Sequence, residues 1–250
     1  MVKAKGLYKS FDGRTVLTDI NVTFETSKVN LIIGQSGSGK TVLLKSLIGL
    51  VGIDEGTVFF DDKNIKNLDN KQLKDLHTEI GVVFQGGALF DSFSVIENVK
   101  FPLNLFSNMT EKEKIERARF CLNRVNLDDV DNLYPAEISG GMKKRVAIAR
   151  AIVLNPKYLF CDEPNSGLDP VNSIVIDNLI HEITHEYNMT TIVNTHDMNS
   201  VFEIGENIVF IADGNKEWEG NKDNIAQADN KKLNDFIFSS QLYKKIREKL

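Results

Sequence analysis

Cysteine is scarce in this sequence, with only Cys121 and Cys161 among 250 residues. Two thiols so widely separated form neither a paired zinc-binding spacing nor a disulfide framework, and a reducing, cytosolic setting fits them best. Long apolar runs are missing too. Val42 to Ile53 is broken by Lys45 and by glycines, and no stretch reaches the roughly 20 apolar residues of a membrane-spanning helix. Any membrane role is therefore expected to run through a partner. The opening Met1-Val-Lys-Ala-Lys-Gly6 lacks the apolar core of a signal peptide, so secretion is not expected. Nor is there an excess of positive charge: the formal net charge is −5, against the concentrated basic surface that a nucleic-acid partner requires. What is present, 42% hydrophobic and 26% charged residues, is too apolar for a disordered chain and long enough for one large or two small domains.

Apolar runs of strand character alternate with longer helical patterns, the arrangement of an α/β protein with a mostly parallel sheet. Val29–Ile33, Lys157–Cys161 and Thr190–Asn194 are nearly uniform apolar runs, as expected of parallel strands covered on both faces, and ligands in such sheets lie beyond the carboxyl ends. The first 30 residues and Thr57–Phe60 alternate instead, around turns at Asp12-Gly13 and Asp54-Glu-Gly56. They predict an antiparallel side layer. Between about residues 86 and 146 the pattern turns helical, with a capping box at Thr110-x-x-Glu113 and a stripe of Ile115, Ala118, Leu122 and Val125. This predicts a helical subdomain inserted into a domain spanning 1–221. Residues 222–250 form an extension with Leu242, Ile246 and Leu250 at helical spacing.

Gly34-Gln35-Ser36-Gly37-Ser38-Gly39-Lys40-Thr41 matches the P-loop pattern in full, after the strand Leu31-Ile-Ile33 and before the helical run Val42–Ile48. Glycines let the backbone curl so that successive N–H groups form an anion nest, and the following helix directs its positive end at the same place. In that chemistry Lys40 reaches the β- and γ-phosphates and the Thr41 hydroxyl is a ligand for Mg²⁺. A second cluster, Tyr158-Leu-Phe-Cys-Asp162-Glu163, delivers two adjacent carboxylates to a strand's carboxyl end. Neighbours on a strand point oppositely, so Asp162 is expected in the metal shell and Glu163 as the base or positioner of an attacking water.

With Ser139-Gly140-Gly141-Met142-Lys143 opening a helix just upstream, these residues resemble the ATPase subunit of ABC transporters, a P-loop NTPase with a RecA-like core. The likeness runs nearly the whole chain: Phe11 at the adenine-stacking position, the P-loop, Gln85 of the Q-loop, the Ser139-Gly-Gly signature, Asp162-Glu163, the D-loop Ser166-Gly-Leu-Asp169, and His196 of the H-loop. The resemblance implies ATP as ligand, with Phe11, Val16, residues 34–41, Val42, Ser139, Gly140, Gly141 and Asp169 at the nucleotide. It implies Thr41, Gln85 and Asp162 around Mg²⁺, and Glu163, His196 and Gln85 in catalysis. It also implies a homodimer in which the signature of one subunit closes over the P-loop of the other, and a membrane permease as partner at the cytoplasmic face of the inner or plasma membrane. Phe84-Gln-Gly-Gly-Ala-Leu-Phe-Asp91 with Glu97-Asn-Val, and Met142 where the common signature has Gln, are similar to the ATPases of Mla/Mce-type phospholipid transporters. An Mce-type lipid-binding subunit is then a further expected partner. ATPases for amino-acid or metal-chelate import share these motifs and remain the alternative, with a soluble ABC ATPase more remote.

His181-Glu-Ile-Thr-His185 matches the helical zinc-protease pattern. Val175, Ile176, Leu179, Ile180 and Ile183 make an apolar arc with both histidines nearly opposite, so the pair is expected to face solvent rather than a catalytic cleft.

Overall fold

The computed structural model describes residues 1–238. In chain order the elements begin with strands β1 (Val2–Phe11), β2 (Arg14–Phe24) and β3 (Lys28–Ile33), helix α1 (Lys40–Leu47), and strands β4 (Glu55–Phe60) and β5 (Lys63–Asn64). Then come α2 (Asn70–Thr78), β6 (Ile80–Val83), α3 (Val95–Phe106), α4 (Glu111–Arg124), α5 (Gly140–Ile152), β7 (Tyr158–Asp162) and α6 (Pro170–Glu186). The described chain ends with β8 (Thr190–Thr195), α7 (Met198–Ile204), β9 (Asn207–Ala212), β10 (Asn215–Gly220) and α8 (Lys231–Ile237). Leu242, Ile246 and Leu250 of the expected terminal stripe lie outside the described residues. Two compact units divide the described residues, 1–68 with 192–238, and 69–191.

The first unit carries the antiparallel layer in the order β2-β1-β4-β5. Val2 pairs with Phe24 on one side and Phe60 on the other, and these three side chains are buried, so alternation points one face of the layer into a core. The same unit holds β3 parallel to β9, with Leu31 opposite Ile208, and β10 antiparallel to β9. Leu31, Ile32 and Ile33 have no exposed surface, as strands covered on both faces require, and each such side chain contributes roughly 1.5–3 kcal/mol on burial. Helix α8 docks through Leu233, Phe236 and Ile237, with the Phe236 ring 5.5 Å from that of Phe210 on β9.

In the second unit β6 pairs parallel to β7, Val83 opposite Cys161. A Cβ at Gly81 would stand 2.4 Å from the Ala151 carbonyl oxygen, so only glycine lets α5 approach this strand so closely. The expected capping box forms at α4, where the Thr110 hydroxyl accepts from the Glu113 N–H, and a second one stands at α3, where the Ser94 hydroxyl accepts from that of Glu97; each glutamate bonds back to the cap. Ala118, Leu122 and Val125 of the expected α4 stripe are buried, Ile115 only half so. Both cysteines are free and buried. Burial pushes the Cys121 thiol up to about 11 and the Cys161 thiol higher still, which leaves neither as a nucleophile at neutral pH.

Candidate functional site

The first unit builds a phosphate cradle. β3 ends at Ile33, and Gly34 turns away with φ +151°. A Cβ there would fall 2.1 Å from the Ile211 carbonyl oxygen, and at Gly39, φ +107°, within 3.0 Å of Leu17 and the Val16 carbonyl oxygen. The loop thus passes between β2 and β9 on tracks that only glycine can follow. The Lys40 ammonium is buried and donates to the Gly34 and Gln35 carbonyl oxygens, both at 2.9 Å. Ser38 and Gly39 are buried while Gln35, Ser36 and Gly37 are exposed, so the rim of the loop faces outward with α1 starting behind it. Among the described residues the buried Ser38 Oγ finds no hydrogen-bond partner, an uncompensated polar atom beside a nest built for an anion. Thr41 Oγ1 accepts from Asn194 Nδ2 of β8 at 3.1 Å.

Beside the loop lies a cleft of about 720 Å³, lined among others by Val16, Gln35, Ser38, Phe210, Lys232 and Asp235. That volume suits a small organic ligand. Val16 therefore stands with the loop, whereas Phe11 ends β1, 44% exposed, with the Lys9 ammonium 4.9 Å from its ring centroid. Val42 is half-buried on α1, and His196 is exposed just after β8.

The second unit assembles a polar corner at the carboxyl ends of β6 and β7. Asp162 is the last residue of β7 and buried. Glu163 does not continue the strand as the sequence suggests: its φ is +47°, and its carbonyl accepts from the Ser166 N–H at 3.1 Å. The two carboxylates diverge through this left-handed turn rather than through strand alternation, and a non-glycine residue held there stores backbone strain. Gln85, two residues past β6, donates from Nε2 to Glu163 Oε2 at 2.9 Å and to Ser166 Oγ at 3.3 Å. Its own carbonyl accepts from the ammonium of Lys144 on α5. Burial holds the Lys144 ammonium below the ordinary lysine range, against the opposing pull of Glu163.

Ser139 caps α5, its Oγ accepting from the Met142 N–H at 3.2 Å, and with the exposed Gly140 it presents the start of this helix outward. A Cβ at Gly141 would meet Asn172 Oδ1 at 3.3 Å. Asp169 caps α6 through the N–H groups of Val171 and Asn172, both at 3.1 Å, and accepts from Asn172 Nδ2. These bonds, the Asn172 side chain first, hold its carboxyl below the usual range.

The ABC transporter family profile matches residues 17–166. The chain belongs to the ABC transporter family. It is 33% identical over 237 residues to MlaF of Haemophilus influenzae, the ATP-binding protein of an intermembrane phospholipid transport system, covering 95% of this chain and 90% of that one. It is 40% identical over 217 residues to the methionine import ATP-binding protein MetN of Clostridium tetani, with 86% and 67% covered. With the probable ribonucleotide transport ATP-binding protein mkl of Mycobacterium leprae it shares 38% over 207 residues, 83% of this chain and 60% of that one. The chain thus spans about six-tenths of the length of the mkl relatives it matches. Among solved structures, a dimeric ATP-binding cassette in a post-hydrolysis state, bound to ADP and phosphate, superposes with a TM-score of 0.81 at 33% identity, covering 89% of this chain and 99% of that one. The cbiO1 protein from Clostridium perfringens, part of the ABC transporter complex cbiONQ, gives 0.84 at 29% identity over 100% and 98%.

The α/β architecture read from the sequence is that of an ABC cassette. Sequence reasoning missed three residues that support the ABC motifs: Asn194 on Thr41, and Lys144 and Arg150 on the Gln85 segment. Asn194 was detectable as an amide in an otherwise apolar strand end. The two cations were not, because charges on a helix ordinarily read as a solvated face. The His181 and His185 rings stand 4.5 Å apart on α6, His185 exposed and His181 only half so. Ile176, Leu179, Ile180 and Ile183 form the buried arc, but Val175 departs from it at 41% exposed. Among the described residues no helix is long and apolar enough to cross a membrane.

Proposed function

We propose that this chain is the ATP-hydrolysing subunit of a membrane transporter, acting as a homodimer with permease subunits at the cytoplasmic face of the membrane. The observation that carries this is the Gly34–Thr41 cradle, a glycine-shaped anion nest with a lysine and a hydroxyl at its end, in a chain matched by the ABC transporter family. Backbone N–H groups of the loop and the start of α1 bind the phosphates of ATP, and Lys40 offsets their charge. The Thr41 hydroxyl and the Asp162 carboxylate are each oxygen donors, the ligand class that Mg²⁺ takes, so the chemistry of either side chain suits that ion. When bound it neutralises charge on the phosphate oxygens.

Glu163 accepts the proton of the attacking water, and Gln85, hydrogen-bonded to it, orients the carboxylate. His196 is assigned to the γ-phosphate, Phe11 and Val16 to the base, and Ser139, Gly140, Gly141 and Asp169 to the nucleotide held by the partner subunit. We assign residues 1–221 to an ATPase domain carrying an inserted helical subdomain at about 86–146, and residues 222–250 to a terminal extension.

Phospholipid moved between membranes is the cargo we favour, supported by coverage of 90% of MlaF and by Met142 in the signature. An Mce-type subunit accompanies that choice. Import of a small solute such as an amino acid is the second reading, favoured by 40% identity to MetN. The deciding experiment is mass spectrometry of proteins and lipids co-purified with the tagged chain after gentle extraction of its membrane. A permease with an Mce-type subunit and bound phospholipid is the expected result. A permease with a solute-binding protein moves the function to import, and no membrane protein at all overturns both.

A further inference from the structure

The segment after β6 makes a tight turn: the Gly87 N–H donates to the Phe84 carbonyl at 2.8 Å, Gly87 has φ +76° and Ala88 φ +47°. A turn with an alanine in the left-handed region is strained and persists only when something outside it holds it. Two cationic side chains of α5 do so. Lys144 donates to the carbonyl of Gln85, while Arg150 donates from Nη2 to Gly87 at 2.6 Å and from Nη1 to Ala88 at 2.7 Å. They flank Ala147 at three-residue steps along the helix, and the small Ala147 side chain lets the turn approach, a Cβ at Gly87 standing 3.7 Å from it. Lys144 is only 7% exposed. An amine buried this deeply needs compensation, and it finds it in the Gln85 carbonyl oxygen and in the field of the Glu163 carboxylate.

We infer that Lys144 is a positioning residue: by pinning the Gln85 carbonyl to α5 it aims the Gln85 amide at Glu163, so the signature helix and the Gln85–Glu163 pair move as one piece. The geometry gives each end a separate job. Arg150 holds the far side of the turn through two carbonyls and makes no contact with the Gln85 amide; Lys144 holds the residue whose side chain meets Glu163. Since Ser139 and Gly140 open the same helix, a displacement at its first turn is carried five residues along to Lys144 and from there to Gln85. Lys144 touches none of the reacting atoms. Its effect runs through the orientation of Gln85 and through a positive charge beside Glu163.

The role as stated rests on the ATPase reading for its catalytic consequence but not for the latch itself, and the test separates the two. Hydrogen exchange of the Phe84–Ala88 amides in the full chain reads the latch without turnover. Lys144→Met, which keeps the stem and removes the donor, is expected to speed exchange of Gly87 about tenfold or more, the weight of a charged hydrogen bond. Lys144→Arg is expected to restore most of the protection. In steady-state ATP hydrolysis the same Met variant is expected to lower kcat about tenfold with KM unchanged within about twofold, since an orienting contact and not a binding one is lost. Unchanged exchange in Lys144→Met overturns the latch whatever the activity. Faster exchange with wild-type kcat overturns the positioning role. An inactive wild-type chain refutes the ATPase reading and leaves exchange to decide the latch.

Discussion

The phosphate cradle of the first unit and the polar corner of the second solve their problems with different materials. Gly34–Thr41 is made by backbone: two glycines at φ +151° and +107° thread between strands, and the donors are N–H groups fixed by the path of the chain. The corner of Gln85, Lys144, Glu163 and Ser166 is made by side chains from positions up to 81 residues apart. A backbone site needs only a short contiguous motif. A side-chain site is scattered along the chain and depends on the packing of α5 against β6. The first binds through geometry that no rotamer change can undo; the second can be re-aimed by moving one helix.

That contrast is broken most severely by Glu163→Gln. An isosteric amide keeps the left-handed turn yet cannot accept a proton, so turnover is expected to fall about 10²–10⁴-fold while nucleotide affinity stays within a few-fold. Single-turnover hydrolysis beside equilibrium ATP binding checks it, and wild-type turnover would remove Glu163 as the base. The cradle answers to a different pair. Gly34→Ala drives a methyl to 2.1 Å from the Ile211 carbonyl, and we expect roughly 3 kcal/mol of destabilisation together with loss of ATP binding. Gly37→Ala meets nothing within 4 Å and suffers only the left-handed strain of φ +81°, roughly 1 kcal/mol. Denaturant unfolding of both variants tests whether close approach or backbone angle dominates the loop.

The same division explains what could be read in advance. Residues 34–41 were legible because their chemistry is contiguous and bracketed by a strand and a helix, and the Thr110 cap because capping is local. The left-handed turn at Glu163 was not, since strand periodicity carries no signal for the residue at which a strand stops. Lys144 was invisible for a related reason. Its sequence neighbours Lys143 and Arg145 are charged, and only the fold buries one of the three. Val175 misled in the opposite direction: helical periodicity placed it in the apolar arc, and the first turns of α6 leave it exposed.

The smallest effect expected is a difference in acid sensitivity. Glu97, Glu113 and Asp169 of the second unit all have carboxyls held below their ordinary values: Glu97 and Glu113 by the N–H groups of the helix starts they cap, and Asp169 first by the Asn172 side chain. In the first unit Asp54 is lowered chiefly by the Lys9 side chain. A carboxyl with a folded pKa below its unfolded one stabilises the fold above the unfolded value and loses that contribution as pH falls through the folded value. The window therefore opens near the ordinary 4.5 of glutamate and runs downward. All four groups lie at the surface, so each contribution is small and screened by salt. Three of them, however, sit on helix termini whose fraying exposes amides directly. Hydrogen exchange at pH 5 and at pH 3.5 is expected to show the first turns of α3, α4 and α6 losing protection before β1 and β4, after correction for the intrinsic pH dependence of exchange. Glu113→Gln keeps the reciprocal bond to Thr110 but not its charge, and is expected to flatten the response of α4 alone. Equal loss in both units would mean that the helix caps do not set the acid limit.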